Sequence, residues 1–419
     1  MTTRFLFYQL LPALTILSIL SSCKSTDRSN TAEIAQWRGE HRTGVYDGTS
    51  LLNHWEANGL ELLWVYEGIG KGYASPAVYN NTIFVNGEKD STSVVFAIDL
   101  NGNLLWEASN GLEFMGEGFS ATYPGARSTP TIVEQMVFAT SGKGRIGCFE
   151  AENGKELWAV DIIKDLNGLE NYFGYSESVL VDDGKVYCFP GGEQNNTVAL
   201  DWKTGNTIWS VPAMRDTFSY CSPILVQLPE KKVLVTHSRH YLYTLDADNG
   251  QVLDSYFIEH YQYDGEHCNS PLYANGSIYF IGNEKEDGAI RLDLSADGKL
   301  TEVWKNTVIK NNFNGYVVYG NHLFTMVKGN KLLAINTATG AVDAEVKAAT
   351  GSIIYADNKF ICYGMNGDLN LVSFANNEFK VTGQAKVTRG TGQHFAHPVL
   401  ANGVLLIRHG DALLAYKVS

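Results

Sequence analysis

Charge is scarce in this chain. Asp, Glu, Lys and Arg make up only 18% of its 419 residues, and the balance is acidic, with a formal net charge of −13. Phosphate contacts need clustered Lys and Arg, so this balance argues against a nucleic-acid partner. Helical periodicity is also missing: no long run with apolar residues at 3.6-residue spacing follows the N-terminus. The six cysteines are widely spaced and form no CxxC or CxxCH, which argues against a zinc knuckle or an attached c-type haem. Five of them follow Cys23, and an odd number in an exported chain cannot all pair internally.

What is abundant is turn and strand material. The chain holds 41 Gly and 22 Tyr with 44% hydrophobic residues, enough for a large core built from strands. The N-terminus reads as a targeting segment. Arg4 supplies a positive start, "FLFYQLLPALTILSIL" (5–20) an apolar stretch, and "LSSC" (20–23) resembles a bacterial lipobox. The expectation is a signal peptide over 1–22, lipidation of Cys23 and a polar tether over 23–34. The apolar stretch is short and Pro-interrupted, which is poor for a membrane span.

A repeat fills the rest. Eight apolar strand–turn–strand runs recur, several opening at Ser-Pro: "SPAVYNNTIFV" from Ser75, "SPILVQLPEKKVLVT" from Ser222 and "SPLYANGSIYFIG" from Ser270 among them. A second pair of runs follows most of them, as in "VFAIDLNGNLLWEA" and "VALDWKTGNTIWSV", with a Gly turn and a strand often ending in Trp. Each unit therefore holds four antiparallel strands, A to D, at a spacing of about 45 residues, the period of a propeller blade. The eighth unit lacks strand D, and a spare strand, "LELLWVYEG", precedes the first. The fold expected is all-β: one eight-bladed propeller over 60–419, its ring closed by that N-terminal strand, with 35–59 packing on the outside of the ring. Trp64, Trp106, Trp158, Trp209 and Trp304 share one place in the blade, where a large ring would wedge between neighbours. Blade 4 offers Tyr256 near that place, and blades 6 and 7 offer no Trp.

"ALDWKTGNTIW" and "AIDLNGNLLW" resemble the repeat of the PQQ-like propellers, which include quinoprotein dehydrogenases and BamB-type outer-membrane assembly lipoproteins. The openings "AQWRGEHRTGV" and "HWEANGLELLWVYEGIGKGYASPAV" resemble one exported branch of that family, and the resemblance covers 35–419. It implies a cell-envelope protein, lipid-anchored, at the outer membrane and facing the periplasm or the cell surface. It also implies PQQ with calcium, should the dehydrogenase activity carry over. The adjacent Cys–Cys pair that such dehydrogenases place over the quinone has no counterpart here, and their calcium ligands do not map onto this sequence.

Topology points to one face. The A–B and C–D turns share the bottom and are short. The D–A connections are long and irregular and share the top, where binding residues concentrate. Residues just before the innermost strand A would ring the channel mouth: Tyr73, Arg127, Tyr175, Glu177, Tyr220, Glu266, His267, Asn314, His394 and His397. That mixture suits a polar organic ligand or a segment of an envelope protein. Membrane contact would run through the anchor only, and the propeller would be a monomer.

No catalytic set and no metal site is expected. His394 and His397 stand three apart near a strand start, where alternation sends them to opposite sides. Cys268 beside His267 lacks an orienting third group. Glu177 and Glu266 could serve glycoside hydrolysis only at a separation that sequence does not give. Cys221 and Cys268 sit just before strand A of adjacent blades, a placement that would allow a disulfide.

Overall fold

The chain divides into two compact units, Met1–Thr31 and Ala32–Ser419. A computed structural model describes residues 1, 36–56, 59–258, 267–283 and 288–419. Cys23, the tether and Glu266 lie outside the described residues. Among the described residues no helix is long and apolar enough to cross a membrane.

The second unit is a ring of eight four-stranded antiparallel sheets. Blades 1 to 7 run 77–112, 131–161, 180–211, 224–257, 272–306, 316–347 and 351–386. Blade 8 is built from Val399–Ala401, Val404–His409 and Ala412–Lys417, and its outermost strand is Leu62–Glu67 from the start of the ring. That strand pairs antiparallel with Ala412–Lys417, so the two ends of the propeller are fastened by one ladder. Many A–B turns are two-residue hairpins with both central residues at positive φ: Asn80–Asn81, Glu134–Gln135, Asp183–Gly184, Asn275–Gly276, Asp357–Asn358 and Asn402–Gly403. This is the primed-turn geometry that matches strand twist.

Each blade carries a bulge between strands C and D, and the position after the bulge is the Trp position. The ring there lies on a glycine in the C–D turn of the next blade. A Cβ added at Gly102, Gly154, Gly205, Gly250 or Gly340 would fall 2.5 to 2.8 Å from the ring of Trp64, Trp106, Trp158, Trp209 or Trp304 respectively. Four of the five indoles also donate Nε1–H to a backbone carbonyl of that turn, at 2.8 to 3.0 Å. Trp209 has the ring contact without the hydrogen bond.

Blade 4 departs from the expectation. Asp254 holds the register position, and the preceding Leu253 fills the socket against Gly298. Tyr256 instead donates to Glu302 of blade 5. In blade 7 the position is Gly383, and the room is filled from outside the repeat by Trp55.

The Ser-Pro repeat has its own physical cause. The serine before strand A accepts a backbone N–H from the preceding blade: Thr129 N to Ser178 Oγ, Ser178 N to Ser222 Oγ, Ser222 N to Ser270 Oγ and His397 N to Ser75 Oγ, all at 2.9 Å. Innermost strands are thus stitched side by side where no ladder joins them.

The segment 36–46 overturns the expectation that 35–59 pack outside the ring. Arg42 donates to Ser178 O, Val179 O and Pro223 O, in blades 3 and 4. Arg38 donates to Tyr316 O of blade 6. Tyr46 N donates to Tyr355 O of blade 7, and Tyr46 Oη reaches Pro398 O at the start of blade 8. One short segment can meet the innermost strands of five blades only by filling the channel they surround. Residues 51–56 then pack on blades 7 and 8, with Leu52 N donating to Val418 O and Trp55 N to Thr382 O.

Candidate functional site: an aromatic cup over a plugged channel

The plug is fastened by buried charge. Arg38 and Arg42 are about 2% and 1% exposed, yet each guanidinium finds carbonyl acceptors at the starts of inner strands. Burial lowers their pKa to about 10 and about 9. Glu177 lies buried beside Arg42. Burial raises its carboxyl to about 8, against the pull of the Arg42 charge. Glu177 therefore belongs to the anchoring of the plug, below the mouth where sequence reasoning placed it.

Above the plug the channel opens into a cup of about 410 Å³, within the size range of small-molecule and peptide side-chain sites. Its fifteen lining residues include eight Phe, Tyr or Trp: Trp37 from the plug, Tyr73, Phe119, Tyr123, Phe173, Tyr220, Phe313 and Phe395. All but Trp37 come from the connections that lead into strand A. The rings support one another. Tyr123 stacks on Phe395 with centroids 6.2 Å apart, Phe395 meets Tyr73 at 5.2 Å and Phe313 at 4.8 Å, and Phe173 meets Tyr220 at 5.9 Å. Tyr73 Oη donates to Gln393 at 2.7 Å, which ties the first blade's entry to the last loop. Phe119 and Tyr172 stand 63% and 56% exposed at the rim, where a solvated ring gains nothing for folding.

Arg127 is the cup's permanent cation. Its guanidinium lies over the rings of Phe114 and Tyr73, at 4.8 and 5.8 Å, and donates to the carbonyls of Gly125 and Tyr123. These contacts hold the 113–127 connection in shape around it. Among the described residues the lining contains no carboxylate.

Four of the sequence candidates meet in this cup: Tyr73, Arg127, Tyr220 and His397. Glu266 lies outside the described residues, and the remaining candidates are placed elsewhere. Tyr175 lies behind the wall, stacked on Phe218 at 4.7 Å with its hydroxyl on Leu169 O. His267 is buried against His237 and Phe280, with Nε2 2.9 Å from Arg239 O. Asn314 is buried and accepts no place in the lining; its N–H donates to Asn311. His394 stacks on His409 at 3.6 Å beside Tyr363, and burial lowers its pKa to about 4. His397 packs on Trp37 at 5.4 Å, so the two histidines of the HxxH do not converge. No group of three or more His, Cys, Asp or Glu side chains is placed to hold a metal among the described residues. Cys221 and Cys268 are both thiols, with no disulfide between them.

Sequence reasoning missed Trp37, Phe119, Tyr123, Phe173, Phe313 and Phe395. The available signal was the density of aromatic residues in the D–A connections, which the repeat itself does not require.

The cofactor implied by the family resemblance does not fit this cup. PQQ is a tricarboxylate, and the lining offers one guanidinium already shared with carbonyls and rings. Calcium takes six to eight oxygen ligands, largely carboxylates, and none lines the cup among the described residues.

Comparison with known proteins agrees with the architecture. The chain is 23% identical over 184 residues to the outer membrane protein assembly factor BamB of Moranella endobia, covering 44% of this chain and 42% of that one. It spans about half the length, or less, of the curated relatives it matches. The crystal structure of BamB from Moraxella catarrhalis superposes with a TM-score of 0.59 at 12% identity, over 83% of this chain and 94% of that one. The quinohemoprotein alcohol dehydrogenase ADHIIG from Pseudomonas putida HK5 superposes with a TM-score of 0.63, also at 12% identity, over 92% and 80%. At such identities the solved structures speak for the fold alone. The family model described as outer membrane protein assembly factor BamB matches residues 94–344, more than half the chain, and on that match the protein belongs to this PQQ-like family of propellers.

Proposed function

We propose that the protein is a non-catalytic, lipid-anchored component of the bacterial cell envelope whose top-face cup holds a segment of another envelope protein. The observation that carries this reading is the cup itself: seven aromatic residues converge there from connections that the fold leaves free to vary, and Trp37 joins them from the plug. Rings clustered at a mouth are costly to leave wet and suited to bury a partner's apolar side chains. The family's description, outer membrane protein assembly, supports an envelope protein as the partner. Cys23 supplies the anchor in this reading, and membrane contact is limited to it.

The test is site-directed photocrosslinking in the cell, with a photoreactive residue at Phe119 on the rim and, as the contrast, at Lys203 in a bottom turn. Crosslinks to an envelope protein from position 119 and none from 203 support the reading; the reverse pattern sinks it. A Cys23→Ser variant is expected to leave the membrane fraction. Dye-linked alcohol oxidation on adding PQQ and calcium would replace the binding reading with a dehydrogenase.

A further inference from the structure

The floor of the cup has a chemistry that its aromatic walls do not need. Ser75, Ser178 and Ser222 line it, from blades 1, 3 and 4, and they are 2%, 2% and 5% exposed. Each hydroxyl oxygen accepts a backbone N–H from the preceding blade at 2.9 Å. That bond uses a lone pair and leaves the hydroxyl hydrogen to donate. Among the described residues no hydrogen bond is donated by any of the three. In blade 2 the equivalent residue is Thr129, whose hydroxyl is also buried without a partner among the described residues but is absent from the lining. Three buried donors without acceptors thus share the floor with Arg127, which has five N–H groups and two carbonyl partners. Buried donors of this kind are costly unless something accepts from them.

We infer that the cup takes an aromatic body ending in a single carboxylate. The ring would pack among Tyr123, Phe173 and Phe395, and the carboxylate would accept from the serine hydroxyls and Arg127. One permanent cation matches one anion; among the described residues no carboxylate lines the cup, and the carboxyl of Glu113 near Arg127 is buried, which pushes its pKa up. The whole chain carries −13, so attraction must come from this local set and not from the long-range field. The inference rests on the reading of the cup as the binding site and sharpens it: the bound segment would end in the cup with an aromatic residue. A free aromatic acid presents the same chemistry, and the test separates the two.

Titration calorimetry on the full chain would compare N-acetyl-phenylalanine with its amide, and a hexapeptide ending in phenylalanine with the same peptide amidated. Each acid is expected to bind about tenfold more tightly than its amide, the usual scale of a charge-assisted hydrogen bond. Arg127→Gln should abolish the difference, Arg127→Lys should keep part of it, and a Ser178→Ala, Ser222→Ala double variant should shrink it. A peptide acid that outbinds the free acid identifies a chain terminus as the ligand, and the opposite order identifies a small aromatic acid. Acid and amide binding equally well would overturn the carboxylate and leave the cup as a binding site. No binding by any of the four would overturn both. The comparison on the unmodified protein needs no variant to fold.

Discussion

The outer side of the ring and its top face obey different rules. On the outer side one device recurs: a bulge, a ring after it and a glycine in the next blade's turn, in five blades of eight. On the top face a position recurs but its side chain does not: the residue four before strand A is Tyr73, Arg127, Ser176, Tyr220, Cys268 or Phe395 in six blades, and Phe119, Tyr123 and Phe173 stand at other offsets. A residue repeated in every blade answers to the architecture, because each blade faces the same neighbour problem. A residue that occurs once answers to something the architecture does not ask for. The plug belongs to neither: it comes from outside the repeat, joins five blades and provides Trp37 to the cup floor.

The hardest way to break this contrast is to remove a shared part. Trp158 is 9% exposed, packs on Gly205 and Phe138, and donates to Trp202 O. Trp158→Ala should cost about 3–5 kcal/mol, read as a lower denaturant midpoint with ligand affinity in the cup unchanged. Arg42→Ala should cost a similar amount, about 3–5 kcal/mol, because it leaves the carbonyls of Ser178, Val179 and Pro223 without their buried donor, but should also weaken binding because Trp37 loses its support. If Arg42→Ala lowers stability and leaves the cup intact, the plug is only structural.

The plug also carries a pH signature. Glu177 has its folded pKa raised to about 8 by burial, above the ordinary carboxyl range near 4.5. A raised carboxyl contributes stability that is complete below the unfolded pKa and is lost as pH rises through the folded one. The protein should therefore lose stability between about pH 4.5 and pH 8 from this group. Glu177→Gln should flatten that slope in denaturant melts taken across the window, and an unchanged slope would show that Glu177 is not its source.

The ring closure was legible in the sequence because a missing strand D at one end and a spare strand at the other are the same fact seen twice. The Trp sockets were legible because they repeat. The failures have physical causes. Tyr256 stood near the right offset, but the bulge shared by every blade sets the register position two residues earlier, at Asp254, and Leu253 fills the socket. Residues 36–46 hold no periodic pattern, and Arg38 and Arg42 look like surface residues in a sequence. They are buried because the open ends of the innermost strands present carbonyls to the channel. Tyr175, Glu177 and Asn314 were expected in the cup because they precede strand A, but that stretch also packs on the neighbouring connection at Tyr175, on the plug at Glu177 and on its own loop at Asn314.

The top face should respond in the opposite sense to the outer side. A Phe173→Ala, Phe395→Ala double variant removes two rings that meet the cup's other aromatics. Truncating rings at such a site commonly costs at least about 2 kcal/mol of binding, roughly thirtyfold in affinity. Stability should fall by less than in Trp158→Ala, since the cup is open to solvent. A stability loss equal to that of Trp158→Ala, with affinity kept, would make the cup an ordinary part of the core and erase the contrast between the two regions.

The smallest effect should come from the bottom turns, and its sign is the informative part. Glu134 and Gln135 occupy positive φ values of 46° and 68° in the A–B turn of blade 2. Other blades place Asn, Asp or Gly there, as in Asn275–Gly276 and Asn402–Gly403. Side chains beyond the β-carbon disfavour this region, whereas Asn-Gly suits both positions of a primed hairpin turn. Glu134→Asn with Gln135→Gly should therefore stabilise the fold by about 0.5–1 kcal/mol. Thermal melts would show it as a small rise in midpoint with no change in cup affinity. If the same double change weakened binding, the bottom face would carry function as well, and the division between a repeated frame and an unrepeated site would fail at its most regular point.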